Sequence, residues 1–535
     1  MFKENIEHFQ TSMFNSTDWM NPGIKSKLEK SWAPVFYEYV FCNIDEKPFA
    51  RLYSDIGRSN FPVNIALSLE FIKHMKNISD DELIENFYFN YLVTYAIGIR
   101  TLGEINLAER TLYEFRNRVY QYLVNHPHEE DLIFGQFLNL TRKFAQTAGI
   151  SLEIQRMDTT MFMSNIKKAG RLALAFDVLL RAVKAIPESL RTESLQETLS
   201  PKFKTDILYR SKPSENESKL DRLLNLCLEA LNIMTVMPDM KKSDELRIVK
   251  RFISEQSDLD NQTNRLKAKD NKNISASSLQ SAFDEDATYR QKGNHSQSGF
   301  VASIAETCSK ENPVQLITDY AVEPNVVSDI AIADERLPKI EDTGCGEMYV
   351  DGGFYPVTPS SDNPIAIHYT DMTGREPSKK LSVTEFEIDP GTKIITQCPG
   401  GNCPINAGIT SGQTVAYFLL EACANCAYKD QCYSKQQKKS CVVRINLKSV
   451  DAAKVRAQIK QECKENTSMR AAIEGTNSAL KRAHGLDKLR VRSIAKCRAV
   501  VGYKIIAQNF KRFANVMLGR IPTVKIPLQG ELMPV

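Results

Sequence analysis

The chain has 535 residues, 42% hydrophobic and 25% charged, a composition that excludes a disordered chain and a length that excludes a single small domain. It contains no apolar run of about eighteen residues, so no membrane-spanning helix is expected. The net charge is only +4, but from Arg482 to Lys525 eleven Lys and Arg stand against one acid, Asp487, a density that suits a polyanionic partner.

The opening Met1-Phe2-Lys3-Glu4-Asn5 lacks the basic-then-apolar layout of a signal peptide, so a cytoplasmic protein is expected. Residues 17–60 read as mixed helical structure ending in a turn at Asp55–Asn60. Helical apolar spacing follows from Phe61 to Ile72, with Pro62 suited to a first turn. Ser79 with Glu82 three residues on forms a capping box and predicts a helix to about Tyr91. A third helix is expected from Thr111, with Glu114 at its N3 position and Arg110, Arg116 and Arg118 along it. Short capped helices with a basic last member fit a helix-turn-helix unit.

Glu153–Phe162 reads as a strand with Asp158 in its middle. Residues 163–281 turn helical and charged, with a polar run at 254–279 expected to be a loop or linker. Strand character returns at Gly299–Thr307, Val314–Val322 and Glu347–Tyr355, with a helix over Asn325–Lys339 between the last two. Ile365–Tyr369, Lys380–Ile388 and Lys393–Thr396 are further strand expectations, and 451–520 is helical again. Six cysteines stand singly, at 42, 227, 308, 345, 463 and 497, and read as small buried hydrophobes. The other six crowd into 398–441. In a reducing compartment such crowding argues for metal. Cys398, Cys423, Cys426 and Cys432 are the favoured zinc set, with Cys403 and Cys441 as substitutes, and unligated cysteines are the alternative.

A carboxylate in an apolar strand is either paired in a core or presented at a site. Asp158 is one case. Asp351 is another, where the run Glu347–Val350 stops at an acid and two glycines permit close approach. Asp319 and Asp371 read as turn or ion-pair residues. Read as a helix, Ser468–Lys481 places Arg470, Glu474 and Lys481 within roughly 40° of one another, with Met469, Ile473 and Leu480 on a second stripe. The plainer reading of that helix is a solvated face with an Arg–Glu pair. The order strand-acid, two strands, helix, strand-acid, helix-acid gives it another meaning. Three carboxylates brought together need cations to stay ionised, and two hard divalent ions with oxygen ligands supply them.

These residues resemble the DDE transposases of bacterial insertion sequences. That family's C-terminal signature runs Tyr, two residues, Arg, three residues, Glu, six residues, Lys. Arg470, Glu474 and Lys481 match its spacing, and Thr467 stands in the Tyr place. Arg156-Met157-Asp158-Thr159-Thr160 through Ile166, Asp286–Gly293, Tyr349–Phe354 and Gly57 through Gly98 are also similar, so the resemblance covers about residues 50–510. It implies a multidomain α/β protein with a ribonuclease-H-like mixed sheet. An all-α DNA-binding domain (1–150) would precede a catalytic core in three pieces (151–165, 282–377 and 451–520). A helical insertion (166–281), a β-rich cysteine-bearing insertion (378–450) and a tail (521–535) complete the expectation.

The resemblance further implies that Asp158, Asp351 and Glu474 hold two Mg²⁺ ions, with Mn²⁺ able to substitute. Arg470 and Lys481 would contact DNA phosphates, with Arg290 and Lys292 as additional contacts. Zn²⁺ in the cysteine insertion would be structural. The partners implied are duplex transposon ends and target DNA, and a homodimer on that DNA, with no membrane and a nucleoid-associated location. The implied reaction is cleavage at transposon ends and joining to a target. The alternative is a catalytically silent, transposase-derived DNA-binding protein; the presence of all three acids favours the enzyme.

Overall fold

A computed structural model describes residues 1–6, 8, 15–127, 129, 131–209, 212–292, 295–355, 364–371 and 379–521. The protein is mixed α/β with a helical N-terminal region. It divides into two compact units: Met1–Ile154, Asp158–Gly344 and Glu474–Val535 form the first, and Gln155–Met157 with Cys345–Ile473 the second. Among the described residues, no helix is long and apolar enough to cross a membrane.

The first unit opens with seven helices: α1 (Pro22–Glu29), α2 (Trp32–Tyr39), α3 (Val63–Lys76), α4 (Asp80–Phe89), α5 (Tyr91–Ala96), α6 (Glu109–Asn125) and α7 (Leu132–Ala148). Local chemistry sets their ends. Ser79 and Glu82 form the expected capping box at α4, Asp131 accepts from two amides to start α7, and Gly149 closes it in the left-handed region at φ 64°. Pro62 is the residue before α3 rather than its first turn. The helix expected from Thr111 starts at Glu109, after Ala108, with no side-chain cap. Glu114 is not a capping residue because its carboxylate takes the Arg110 guanidinium at 2.7 Å. Nearly every residue of α3 is buried. Arg116 of α6 reaches back to it, donating to Glu70 at 2.6 Å and to Asp80 of α4 at 2.5 Å.

The strand β1 (Ile154–Phe162) follows, then α8 (Arg171–Ala185), α9 (Glu193–Glu197), α10 (Pro201–Leu208), α11 (Asn216–Val236) and α12 (Asp244–Gln256). These helices bury their own core, including Leu179, Leu223, Cys227 and Phe252. The polar run at 254–279 is not simply a linker. It holds a hairpin, β2 (Ser257–Asp260) with β3 (Arg265–Ala268), paired antiparallel. Its backbone pairing outweighs its polarity because Leu266 faces the core while the charged neighbours stay outside.

Next come β4 (Thr288–Lys292), β5 (His295–Thr307), β6 (Ile317–Pro324) and α13 (Asp329–Glu341). Within this unit β5 takes β4 and β6 antiparallel along successive parts of its length, and β1 is its other neighbour. The last helix, α16 (Ile494–Met517), lies against β6, α3 and α7. A Cβ at Gly502 would stand 2.3 Å from the Tyr320 hydroxyl, so only glycine permits that approach. Asn509 then clamps strand to helix, exchanging two hydrogen bonds with the Ile317 backbone at 2.8 and 2.7 Å.

In the second unit β1 neighbours β7 (Glu347–Val350), which pairs in parallel with β8 (Ala366–Tyr369). Beyond them lie β9 (Glu387–Ile388), β10 (Ile395–Gln397), β11 (Asn406–Thr410), β12 (Gln413–Phe418), α14 (Leu420–Ala424), β13 (Lys435–Gln436) and β14 (Cys441–Asn446). Four of these form an antiparallel sheet in the order β11-β12-β14-β13. The expected strand at Lys380–Ile388 is mostly absent. Ser382 accepts from the Thr384 amide and turns Val383–Glu385 into a short 3-10 helix, leaving only β9 extended. The helix α15 (Leu447–Arg482) contributes its residues up to Ile473 to this unit and those from Glu474 to the first.

Candidate active site

Asp158 sits in the middle of β1 and is 8% exposed. Its strand neighbours Arg156 and Met157 are buried too. In the first unit its carboxylate takes a hydrogen bond from the Asn477 amide at 3.1 Å. Asn477 lies on α15, three residues after Glu474, and positions three apart on a helix share a face. The amide oxygen of Asn477 is buried and lacks a hydrogen-bond partner among the described residues. Glu474 itself is exposed.

The turn of α15 that carries Glu474 is fixed from beneath. Met469, Ile473 and Leu480 are buried, as the apolar stripe requires. Thr476 donates to Glu306 at 2.7 Å, and Arg512 of α16 donates to the same carboxylate at 2.9 Å. Glu306 is fully buried in β5, so these donors compensate a charge that would otherwise be costly to bury. A Cβ at Gly475 would meet nothing within 4 Å; this glycine faces open space rather than the sheet.

Asp351 follows β7 in the second unit and accepts from the Gly353 amide at 2.8 Å. Arg470 approaches its other oxygen at 3.5 Å. In the same unit Arg156 donates to the Met469 carbonyl at 2.8 Å, and Asn466 donates to the Tyr369 carbonyl at 3.0 Å. Lys481 is 3.8 Å from Asp487. Arg290 is turned onto Asp329 at 3.3 Å, and Thr159 donates to the same acid. The Lys292 side chain falls outside the described residues. Asp319 is held by Arg336 in a buried pair, in keeping with an ion-pair role, and Asp371 is exposed.

The oxygen donors here suit a hard divalent cation. Asp158 contributes a carboxylate, and the unpartnered Asn477 oxygen beside it is a further donor of that kind. Among the described residues, however, no three His, Cys, Asp or Glu side chains stand close enough to hold a metal as they are. The same applies to the thiols, although Cys398, Cys423, Cys426 and Cys432 all line one small cavity. Gly400 abuts them, and a Cβ there would lie 3.1 Å from the Cys426 sulfur. Burial, followed by the neighbouring Cys441, Cys432 and Cys398, pushes the Cys423 thiol up to about 12. Cys403 is exposed and Cys441 buried. Of the single cysteines, 227, 308, 345 and 497 are buried, Cys42 is half-buried, and the Cys463 side chain falls outside the described residues.

Asn477, Glu306 and Arg512 are not singled out by sequence reasoning. For Glu306 the signal was present, since it is an acid near the end of an apolar strand, as Asp158 is an acid within one. Asn477 offered only its spacing from Glu474.

Two family models match the chain. The Transposase domain (DUF772) model covers residues 31–118, and the Transposase DDE domain model covers 401–514. No curated protein and no solved structure matches. With one match on the N-terminal helices and the other across Arg470, Glu474 and Lys481, the chain is similar over these two regions to transposases and to their DDE domain.

Proposed function

We propose that this transposase cuts DNA at the ends of its element and joins the freed ends to target DNA. The observation that carries the reading is the hydrogen bond from Asn477 to Asp158, which ties the strand acid to the helix face bearing Glu474. The succession of β1, the antiparallel strands β5 and β6, the helix α13 and the parallel pair β7–β8 supports a ribonuclease-H-like core.

A DDE domain implies divalent metal use. In this reading Asp158, Asp351 and Glu474 hold two Mg²⁺ ions, which would lower the pKa of a water or 3′-hydroxyl and offset charge on the leaving oxygen. The chain's own groups aim the donors. Asn477 fixes the rotamer of Asp158, while Arg470 offsets the charge of Asp351. The Glu306–Thr476–Arg512 network holds the Glu474 turn against β5. Arg470 and Lys481 lie one turn before and two turns after Glu474, where they would grip phosphates flanking the cut. Arg290 serves less, because Asp329 already takes its charge. The four thiols around the cavity at Gly400 would hold one Zn²⁺ and staple the cysteine-bearing sheet. Two transposon ends held for joining imply two copies of the chain on DNA.

The test is single-turnover cleavage of a duplex carrying the element's end. With Mg²⁺ the native chain should cut. Glu474→Gln should bind the duplex and leave it whole; cutting by Glu474→Gln at the native rate would remove Glu474 from the set.

A further inference from the structure

The segment between α15 and α16 is not absorbed by the active site. Between Gly485 (φ 65°) and Ser493 (φ 72°) the segment forms no helix or strand, and its backbone is clamped to the residues just after β1. Met163 donates to the Asp487 carbonyl at 3.0 Å, Leu489 donates to the Met163 carbonyl at 2.8 Å, and Asn165 donates to the Val491 carbonyl at 2.8 Å. Leu489 is buried in the core at 2% exposure and Val491 is half-buried, while Lys488, Arg490 and Arg492 are all exposed. None of the three forms an ion pair among the described residues. Arg492 is further positioned by donating to the Asn165 carbonyl at 2.9 Å.

These cations form one wall of an open cleft of about 740 Å³, whose other wall comes from α3, α4 and α6. The cleft's two lining acids are already used: Glu70 and Asp80 are taken by Arg116, and Asp80 by Lys73 as well. Glu82, in the same first turn of α4 as Asp80, is engaged by its own cap Ser79 and also feels the Arg490 charge. Lys504 is buried at the cleft floor, and burial, then Lys73 and Arg490, push it down to about 8. The cleft therefore carries uncompensated positive charge.

We propose that this cleft binds the sugar-phosphate backbone of duplex DNA, with Lys488, Arg490 and Arg492 each taking a phosphate. The inference rests on the transposase reading and adds a location to it. Three exposed cations on one clamped segment, with Lys496 also lining the cleft, match a polyanion better than a single acidic residue or a small anion. Met163 lies five residues beyond Asp158, on the order of 16 Å along the strand. Both regions that match transposase families contribute walls, so the N-terminal helices and the C-terminal segment would bind one duplex together.

The test measures equilibrium binding of the full chain to a linear duplex over a range of salt concentrations. The variants are Lys488→Ala/Arg490→Ala/Arg492→Ala and the charge-preserving Lys488→Arg/Arg490→Lys/Arg492→Lys. Removing three phosphate contacts should reduce the slope of log K against log salt by about 2.7, at about 0.9 per contact. The charge-preserving variant should keep the native slope, and a thermal melt should show both folded. A native slope in the triple-alanine variant would overturn the cleft while leaving the transposase reading intact. A native chain that binds no duplex at any salt concentration would overturn both.

Discussion

At the scale of single residues, the acids that interrupt apolar strands were legible and their partners were not. Asp158 and Asp351 stand out because a carboxylate in an apolar run needs a reason. Asn477 does not, because an amide on a polar helix is ordinary and its partner Asp158 is 319 residues away in the chain. Gly475 shows what structure adds. A glycine inside a helix costs up to about 1 kcal/mol relative to alanine, and nothing in the fold needs the space its missing Cβ leaves. Gly475→Ala should therefore stabilise the protein by up to about 1 kcal/mol in urea unfolding, and slow DNA cleavage if the space admits the substrate. Unchanged cleavage would detach this glycine from the DNA path. Lys504 makes a separate prediction. Its folded value of about 8 lies below the ordinary 10.5, so between those pH values the unfolded chain holds a proton that the folded one has released. Stability should rise with pH across that window, by about 3 kcal/mol for this group. Lys504→Met should lose that rise, read as the difference between native and variant unfolding midpoints at pH 7.5 and 10. Parallel behaviour of the two would contradict the burial argument.

At the scale of elements, apolar spacing gave the positions of most helices and marked β1, β5 and β8 as strands, while short segments escaped it. The buried stripe Met469, Ile473 and Leu480 is helical spacing read directly off the chain. The hairpin β2–β3 was missed because its few apolar residues, Leu259, Leu266 and Ala268, are spread among charges, and only Leu266 is buried in the core. The strand expected at Lys380–Ile388 failed because a serine side chain satisfied a backbone amide and made a turn cheaper than extension. The cysteine-bearing sheet is where composition and structure meet, since few large side chains fill it and four thiols surround one cavity. Elemental analysis of purified protein should find about one zinc per chain, as a single four-cysteine site requires. A folded, zinc-free protein would contradict that assignment.

At the scale of the whole molecule, β1 and α15 each contribute residues to both compact units. Asp158 belongs to the first unit with Glu474, and Asp351 to the second with Arg470. The order of elements along the chain was readable without coordinates, because a strand acid, two strands, a helix, a strand-end acid and a helix acid follow one another in the sequence. The division into units was not, because it depends on which residues share a core. The central claim is the proposal that Asp351 belongs to the catalytic set with Asp158 and Glu474. Asp351→Asn measures it most directly, because asparagine can still accept from Gly353 and keep the turn. With Mg²⁺ and a duplex carrying the element's end, this variant should bind with native affinity and leave the DNA uncut. Cleavage at the native rate would contradict the account.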